Sequence, residues 1–420
     1  MRELICILST PIDVLDTQGV VARLDQFIQE KRFHQVATAN TDFVINAMAD
    51  KELRHILRYS DLVMPDGMPL VWASRALGSP LPERVTGADI VPALTELSAR
   101  KGYRIYMLGA RPEVAQKARE KMLEAYPSLR IVGCVSPSVL PLEEMNNTEI
   151  LKDIQAAHPD ILLVAFGNPK QEKWIHRNRE SLQNIPICIG VGGTFDFMAG
   201  QTTRAPAWMR GIGLEWLFRL AQEPQRLWKR YTRDIVHFGR YFGAQWVSNR
   251  VSSSSAKTLW TETPRGSAVI LSVEGPLNSG QRAELQNRAG RILDKPANLI
   301  LDLTAASSLD ATIIGTLLNL PRRAEFVERE VCIVGVNARL LRSLQVLYAS
   351  EALNLKGTLE EALKNLHENI SPSSEDSKED SKEDSKEDSK EDSKEDSKED
   401  TNDAAERAIF GVNSRTGASR

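Results

Sequence analysis

The sequence predicts an α/β protein: a mainly parallel sheet covered by helices on both faces, then a smaller α/β unit and a low-complexity tail. Three observations carry that reading. Across the first 200 residues, strand-like runs alternate with segments of helical period. The runs are near-continuously apolar, as in YRIYML (103–108) and ILLVAF (161–166), the pattern of strands buried on both faces. Glycine-plus-polar turns close several strands, where open parallel sheets gather their ligands.

Residues 4–8 read as a strand, and 16–31 as a helix with an apolar stripe at Val20, Val21, Leu24, Phe27 and Ile28. A strand over 35–38 runs into the polar residues Thr38, Asn40, Thr41 and Asp42, and a helix follows. The strand 62–64 ends in Pro65-Asp66-Gly67. Proline stops the strand and glycine permits a sharp turn, so the Asp66 carboxylate is held at the sheet rim. After a further helix, Glu83-Arg84-Val85-Thr86-Gly87-Ala88-Asp89 leads into a helix over 90–101. Strand 103–108 ends at Gly109, and Pro112 suits the first turn of helix 113–125. Strand 129–135, helix 147–157 and strand 161–166 come next, the last ending in Gly167-Asn168-Pro169-Lys170-Gln171-Glu172. Strand 187–191 ends in Gly192-Gly193-Thr194-Phe195-Asp196. A glycine between strand and helix leaves free backbone N–H groups and the helix dipole facing the turn, which suits phosphate. Gly109, Gly167, Gly192 and Gly193 thus face the Asn40, Asp66 and Arg84 group. A nucleotide-type ligand and a second substrate are expected in one cleft.

Residues 203–246 change character. Trp208, Trp216, Phe218, Trp228, Tyr231, Phe238, Tyr241, Phe242 and Trp246 are interleaved with basic residues. Aromatics and cations on amphipathic helices suit a membrane surface. They equally suit arginines gripping phosphates, or a terminal helix packed on the core with a solvated basic face. Residues 248–265 read as a Ser-rich linker. The second unit, 266–370, has strands at 268–273, 299–303 and 331–336 and helices at 279–293, 313–327, 338–347 and 359–367. From 371 to 420 the Ser-Lys-Glu-Asp repeats cannot bury apolar area, and disorder is expected.

At 420 residues the chain is long enough for two domains. The net charge of −3 is an uneven average: the repeats over 373–400 carry −8 and residues 1–372 carry +4. Between Gln201 and Arg250 there are nine Lys/Arg against three Asp/Glu. Cys6, Cys134, Cys188 and Cys332 lie far apart in apolar runs, without metal spacing, which suggests buried thiols in a reducing compartment. The N-terminal apolar run is too short for a signal peptide, and no run is long enough to span a membrane.

With these pieces in place, residues 1 to about 245 resemble the WecB/TagA/CpsF family of bacterial glycosyltransferases. The matching motifs are Thr38-Ala39-Asn40, Met64-Pro65-Asp66-Gly67, the run from Glu83 to Asp89, and Gly167-Asn168-Pro169-Lys170-Gln171-Glu172-Lys173-Trp174. They continue with Gly190-Val191-Gly192-Gly193-Thr194-Phe195-Asp196, Arg204-Ala205-Pro206, Gly213-Leu214-Glu215-Trp216-Leu217-Phe218-Arg219-Leu220 and Glu223-Pro224-Gln225-Arg226. The resemblance implies a Rossmann-like core over 1–200 and a membrane- and diphosphate-binding appendage over 201–247. It implies inverting, metal-independent transfer of an N-acetylhexosamine, commonly N-acetylmannosamine, from a UDP-sugar to N-acetylglucosamine on a polyprenyl diphosphate. Asp66 would be the general base. Thr38 and Asn40 would hold a sugar, Arg84 would neutralise diphosphate charge, and Gln171 would contact the nucleotide-sugar. Arg219, Arg226, and Lys229 or Arg230 would close over the diphosphate. Gly109, Gly167, Gly192 and Gly193 would admit the nucleotide. No metal site and no cofactor are expected.

The second unit is similar to the STAS domains of anti-sigma-factor antagonists and sulphate transporters, on LILDLTAASSLDATIIGTLLNL and CIVGVNARLLRSLQVL. The family's Asp-Ser pair is Asp310-Ala311 here, which implies a constitutive docking module in place of a phospho-switch. Together these resemblances imply a hexosyltransferase of cell-surface polysaccharide assembly, cytoplasmic and peripheral at the inner face of the membrane. They leave room for a protein partner of the second unit and for a homo-oligomer; no nucleic-acid partner is expected. The alternative is a catalytically inactive UDP-sugar-binding regulator that signals through the STAS-like unit. A third reading is a transferase acting on soluble acceptors.

Overall fold

The computed structural model describes residues 2–206, 208–209, 213–222, 224–252 and 257–368, without the side chains of 226, 251–252 and 367–368. The tail expected to be disordered therefore lies outside the described residues.

The chain opens with a hairpin, β1 (Leu4–Ile7) and β2 (Thr10–Asp13), paired antiparallel and wholly buried. Helix α1 (Thr17–Glu30) follows, capped by Asp16, whose carboxylate accepts from the Gly19 N–H. Its buried stripe is Val20, Leu24, Phe27 and Ile28. The strand β3 (His34–Ala39) leads to α2 (Thr41–Ala49) and α3 (Lys51–Tyr59). One helix is expected there; two form because the Asp50 backbone turns extended (φ −90°, ψ 101°) and its side chain caps α3 by accepting from the Leu53 N–H.

The core then alternates regularly: β4 (Leu62–Pro65), α4 (Met68–Ala76), α5 (Gly87–Lys101), β5 (Arg104–Gly109), α6 (Pro112–Ala125) and β6 (Arg130–Val135). It continues as α7 (Thr148–Ala157), β7 (Ile161–Ala165), α8 (Lys170–Arg177), β8 (Ile187–Gly190) and α9 (Thr194–Met198). Strands β3 to β8 form one six-stranded sheet in the order β4-β3-β8-β7-β5-β6, with every pair parallel. Because all six run the same way, every turn after a strand opens on the same rim. One face is packed by Leu24, Ile90, Leu94 and Val114, and the other by Ile154, Trp174 and Ile175.

The appendage comprises α10 (Glu215–Gln222) and the long helix α11 (Pro224–Ser252). At helical spacing, Phe238, Tyr241 and Phe242 pack on a cluster built from α2, α3, α4 and the hairpin, and Gln245 is buried beside them.

The second unit has β9 (Leu259–Arg265), β10 (Ala268–Leu277), α12 (Arg282–Leu293), β11 (Asn298–Asp302), β12 (Ala306–Leu309), α13 (Ala311–Phe326), β13 (Val331–Val334), α14 (Ala338–Val346) and α15 (Leu359–Glu368). The order β12-β10-β11-β13 is parallel, and β9 adds antiparallel along the first part of β10. This corrects the linker expected over 248–265. Helix α11 runs on to Ser252 and Leu259–Arg265 is a strand, because β10 leaves an edge that β9 completes. The β9 side chains are largely exposed, so no apolar alternation marks it in the sequence. Residues Met1–Leu366 make one compact unit.

Candidate active site

The site is assembled where the parallel strands end. Strand β4 stops at Pro65, and the Asp66 N–H donates to the Ala39 carbonyl oxygen at 2.8 Å, which pins the turn against the end of β3. Gly67 lies beside Thr41 and Asn40. The Asn40 side chain accepts from the Phe43 N–H at 3.0 Å and so caps α2. Thr38, nearly buried, donates to the Gly190 carbonyl at 3.3 Å. A Cβ on Gly87, at the start of α5, would stand 3.0 Å from Thr194 Oγ1 and 3.8 Å from Thr38 Cγ2. Thr38 and the start of α5 therefore lie against the β8 turn.

The Asp66 carboxyl is pushed up to about 6. Loss of solvent is the main cause; Arg219 and then Arg84 oppose it, while Glu215 and Asp89 add to it. A carboxylate poised near neutrality can accept a proton from a hydroxyl and release it again.

Around Asp66 stands a network the sequence reading did not single out. Arg84 donates to Glu215 at 2.6 Å. Glu215 is 5% exposed and also lies 3.6 Å from Arg219 and 3.9 Å from Arg204. Arg204 pairs with Asp89 at 2.9 Å and donates to the Ala88 carbonyl. Arg219 lies over the Phe197 ring at 4.8 Å. The signal for Glu215 was present, since it is one of three acids in a strongly basic segment. The appendage thus reaches the core, and Gly213, at φ +82°, lies so close to Met68 that a Cβ there would collide with it.

The structure places the two candidates for a third cation on the appendage differently. Arg230 pairs with Asp42 at 3.0 Å, next to the Asn40 turn, whereas Lys229 is exposed. Arg233 also pairs with Asp42, at 2.9 Å. The Arg226 side chain lies outside the described residues.

Gln171 takes an unexpected place. It is 2% exposed; its Oε1 accepts from the Gly192 N–H at 3.0 Å and its Nε2 donates to Glu172 at 2.7 Å. It therefore supports the Gly192 turn from beneath, where direct contact with a nucleotide-sugar was expected. Glu172 is fully buried, and burial pushes its carboxyl up to about 8 against the Gln171 hydrogen bond. A side chain at Gly190 would overlap both. Gly109 has φ +101°, and its Cβ would stand 2.7 Å from the Ala165 carbonyl, so only glycine fits. Gly167 and Gly192 also hold positive φ, and Gly193 precedes α9. These four glycines lie at or just past the ends of β5, β7 and β8, on the sheet rim that also carries Asp66.

Among the described residues no cluster of acids, histidines or cysteines could hold a metal ion, and the four cysteines are free thiols. No described helix is long and apolar enough to cross a membrane.

Residues 5–252 match the model described as "Glycosyl transferase WecG/TagA/CpsF family", the family resembled above under one different member name. Residues 261–362 match the STAS domain. The chain is 34% identical over 204 residues to an N-acetylglucosaminyldiphosphoundecaprenol N-acetyl-beta-D-mannosaminyltransferase of Bacillus subtilis (strain 168), covering 49% of this chain and 77% of that protein. The protein of the same name from Bacillus spizizenii is 29% identical over 222 residues, covering 52% and 84%. A solved structure of an anti-sigma factor antagonist from Mycobacterium paratuberculosis covers 27% of this chain and 98% of its own, at 20% identity and a TM-score of 0.24.

Proposed function

This chain belongs to the WecG/TagA/CpsF family of glycosyl transferases, and from that premise we propose that it is an inverting hexosyltransferase of cell-surface polysaccharide assembly. It moves N-acetylmannosamine from a UDP-sugar to N-acetylglucosamine on a polyprenyl diphosphate, as the names of its relatives suggest. The observation that carries the reaction is Asp66, a carboxylate raised to about 6 at the sheet rim and faced by Arg84 and Arg219. An acceptor hydroxyl gives its proton to Asp66 as its oxygen attacks the anomeric carbon. The bond from that carbon to the UDP oxygen breaks, and the departing diphosphate takes up negative charge. Arg84, Arg219 and Arg230 meet that charge, with Arg226 and Lys229 as further candidates on the same appendage. Thr38 and Asn40 hold sugar, and the glycine turns at Gly109, Gly167, Gly192 and Gly193 admit the nucleotide, with Gln171 fixing the last of them. No metal is needed in this scheme.

The appendage also supports a peripheral place on the inner membrane face. Trp208, Trp228, Ile235 and Val236 are each more than half exposed among basic residues. A polyprenyl-linked acceptor has its diphosphate at that surface.

The test is UDP release from a panel of UDP-sugars, with a short-chain polyprenyl-diphosphate-N-acetylglucosamine and EDTA present. Acceptor-dependent release from one N-acetylhexosamine donor, lost in Asp66→Asn with donor affinity kept, is the expected result. Binding without turnover on any acceptor would instead favour the regulator reading.

A further inference from the structure

The STAS-like unit is joined to the transferase core by more than the chain. Helix α13 lies against strand β1: a Cβ on Gly315 would stand 3.1 Å from the Leu4 carbonyl and 3.2 Å from the Cys6 nitrogen. Cys6 is buried within the apolar core of the second unit, and Ala311 within that of the first. Polar contacts surround this seam. Arg322 donates to the Ser60 carbonyl at 2.6 Å and pairs with Asp61. Arg58 donates to the Tyr348 carbonyl at 2.7 Å, and Arg54 pairs with Glu351 at 2.9 Å beneath the Tyr348 ring.

The same seam holds the end of α11. Gln245 donates to the Cys6 carbonyl at 2.7 Å and accepts from the Leu8 N–H at 2.9 Å. Asn249 accepts from the Ala311 N–H at 3.0 Å, the first turn of α13, and donates to the Leu77 carbonyl. The Ser248 and Ser343 hydroxyls are 3.2 Å apart. Helix α11 thus has its far end fixed between the two units, while its near end carries Arg230 against Asp42.

We infer that the STAS-like unit works in cis as a brace: the N-terminal face of α13 is occupied by this chain's own transferase core and holds α11 in the pose that brings its cations to the diphosphate. That face is therefore closed to other proteins while the brace is seated. The docking itself stands on these contacts alone; its effect on turnover rests on the transferase reading.

Two variants of the full chain test it. Ser248→Cys with Ser343→Cys should form an intramolecular disulfide under mild oxidant, with turnover kept within about twofold. Gly315→Val wedges the seam; amide exchange over 239–250 should rise at least about tenfold while β3 and β8 stay protected, and kcat/KM for the lipid-linked acceptor should fall at least about tenfold. Failure of the cysteine pair to join, or loss of turnover once joined, overturns the proposal. So does unchanged exchange over 239–250 in a folded Gly315→Val protein. If Gly315→Val does not fold, the cysteine pair decides alone. Exchange and cross-linking do not depend on turnover, so failure of the brace is distinguishable from failure of the transferase reading.

Discussion

The Glu215 carboxylate accepts from the Arg84 guanidinium at 2.6 Å across 131 residues of sequence, and both face Asp66. The pair ties the appendage to the core and sets the charge around the base. Glu215 adds to the raised value of Asp66, and the arginines lower it. Glu215→Gln removes a negative neighbour and frees Arg84 and Arg219, so both changes favour ionised Asp66. The acid limb of the pH–rate profile should move to lower pH by a few tenths of a unit or more. An unmoved limb would mean that another group governs it.

For the unaltered protein, kcat/KM should be flat above about pH 7 and fall tenfold per unit below about 6, as Asp66 takes up its proton. Asp66→Asn should cost on the order of 10²–10⁴-fold and abolish that limb. Rates across pH 5 to 8, in both proteins, check this.

Glu172 affects stability with the sign reversed from an ion-paired acid. Its folded value, about 8, lies above the ordinary 4.5, so the folded protein keeps a proton the unfolded chain has lost. The stabilisation is full below the ordinary value and declines as pH rises towards 8, by about 1 kcal/mol per unit. Glu172→Gln keeps the shape and the hydrogen bond to Gln171 while removing the titration. Its Tm should match the parent near pH 5 and exceed it increasingly up to pH 8; parallel curves would sink the argument.

Trp228 is 62% exposed on α11, so Trp228→Glu should leave the fold and Tm unchanged. Binding to anionic vesicles should weaken about tenfold or more, because an apolar anchor is replaced by a charge the surface repels. Vesicle co-sedimentation reads this directly.

Much of the core was legible because its signals are local. Apolar runs such as 161–166 become strands buried on both faces, and Pro65-Asp66-Gly67 becomes a turn at a strand end wherever the chain lies. Strands β2, β9 and β12 carry no such local signal: they are short or exposed, and their hydrogen-bond partners rather than their side chains define them.

The sequence by itself determined the alternating fold, the rim residues Thr38, Asn40 and Asp66, the basic character of the appendage and the STAS-like unit behind it. Tertiary structure alone decided that Gln171 is buried under the Gly192 turn and that Glu215 gathers three arginines. It also decided that Arg230, not Lys229, faces Asp42, and that α13 lies on β1. The reason is physical: strand and turn preferences are set by neighbours in sequence, whereas burial and charge pairing depend on distances between residues far apart in the chain.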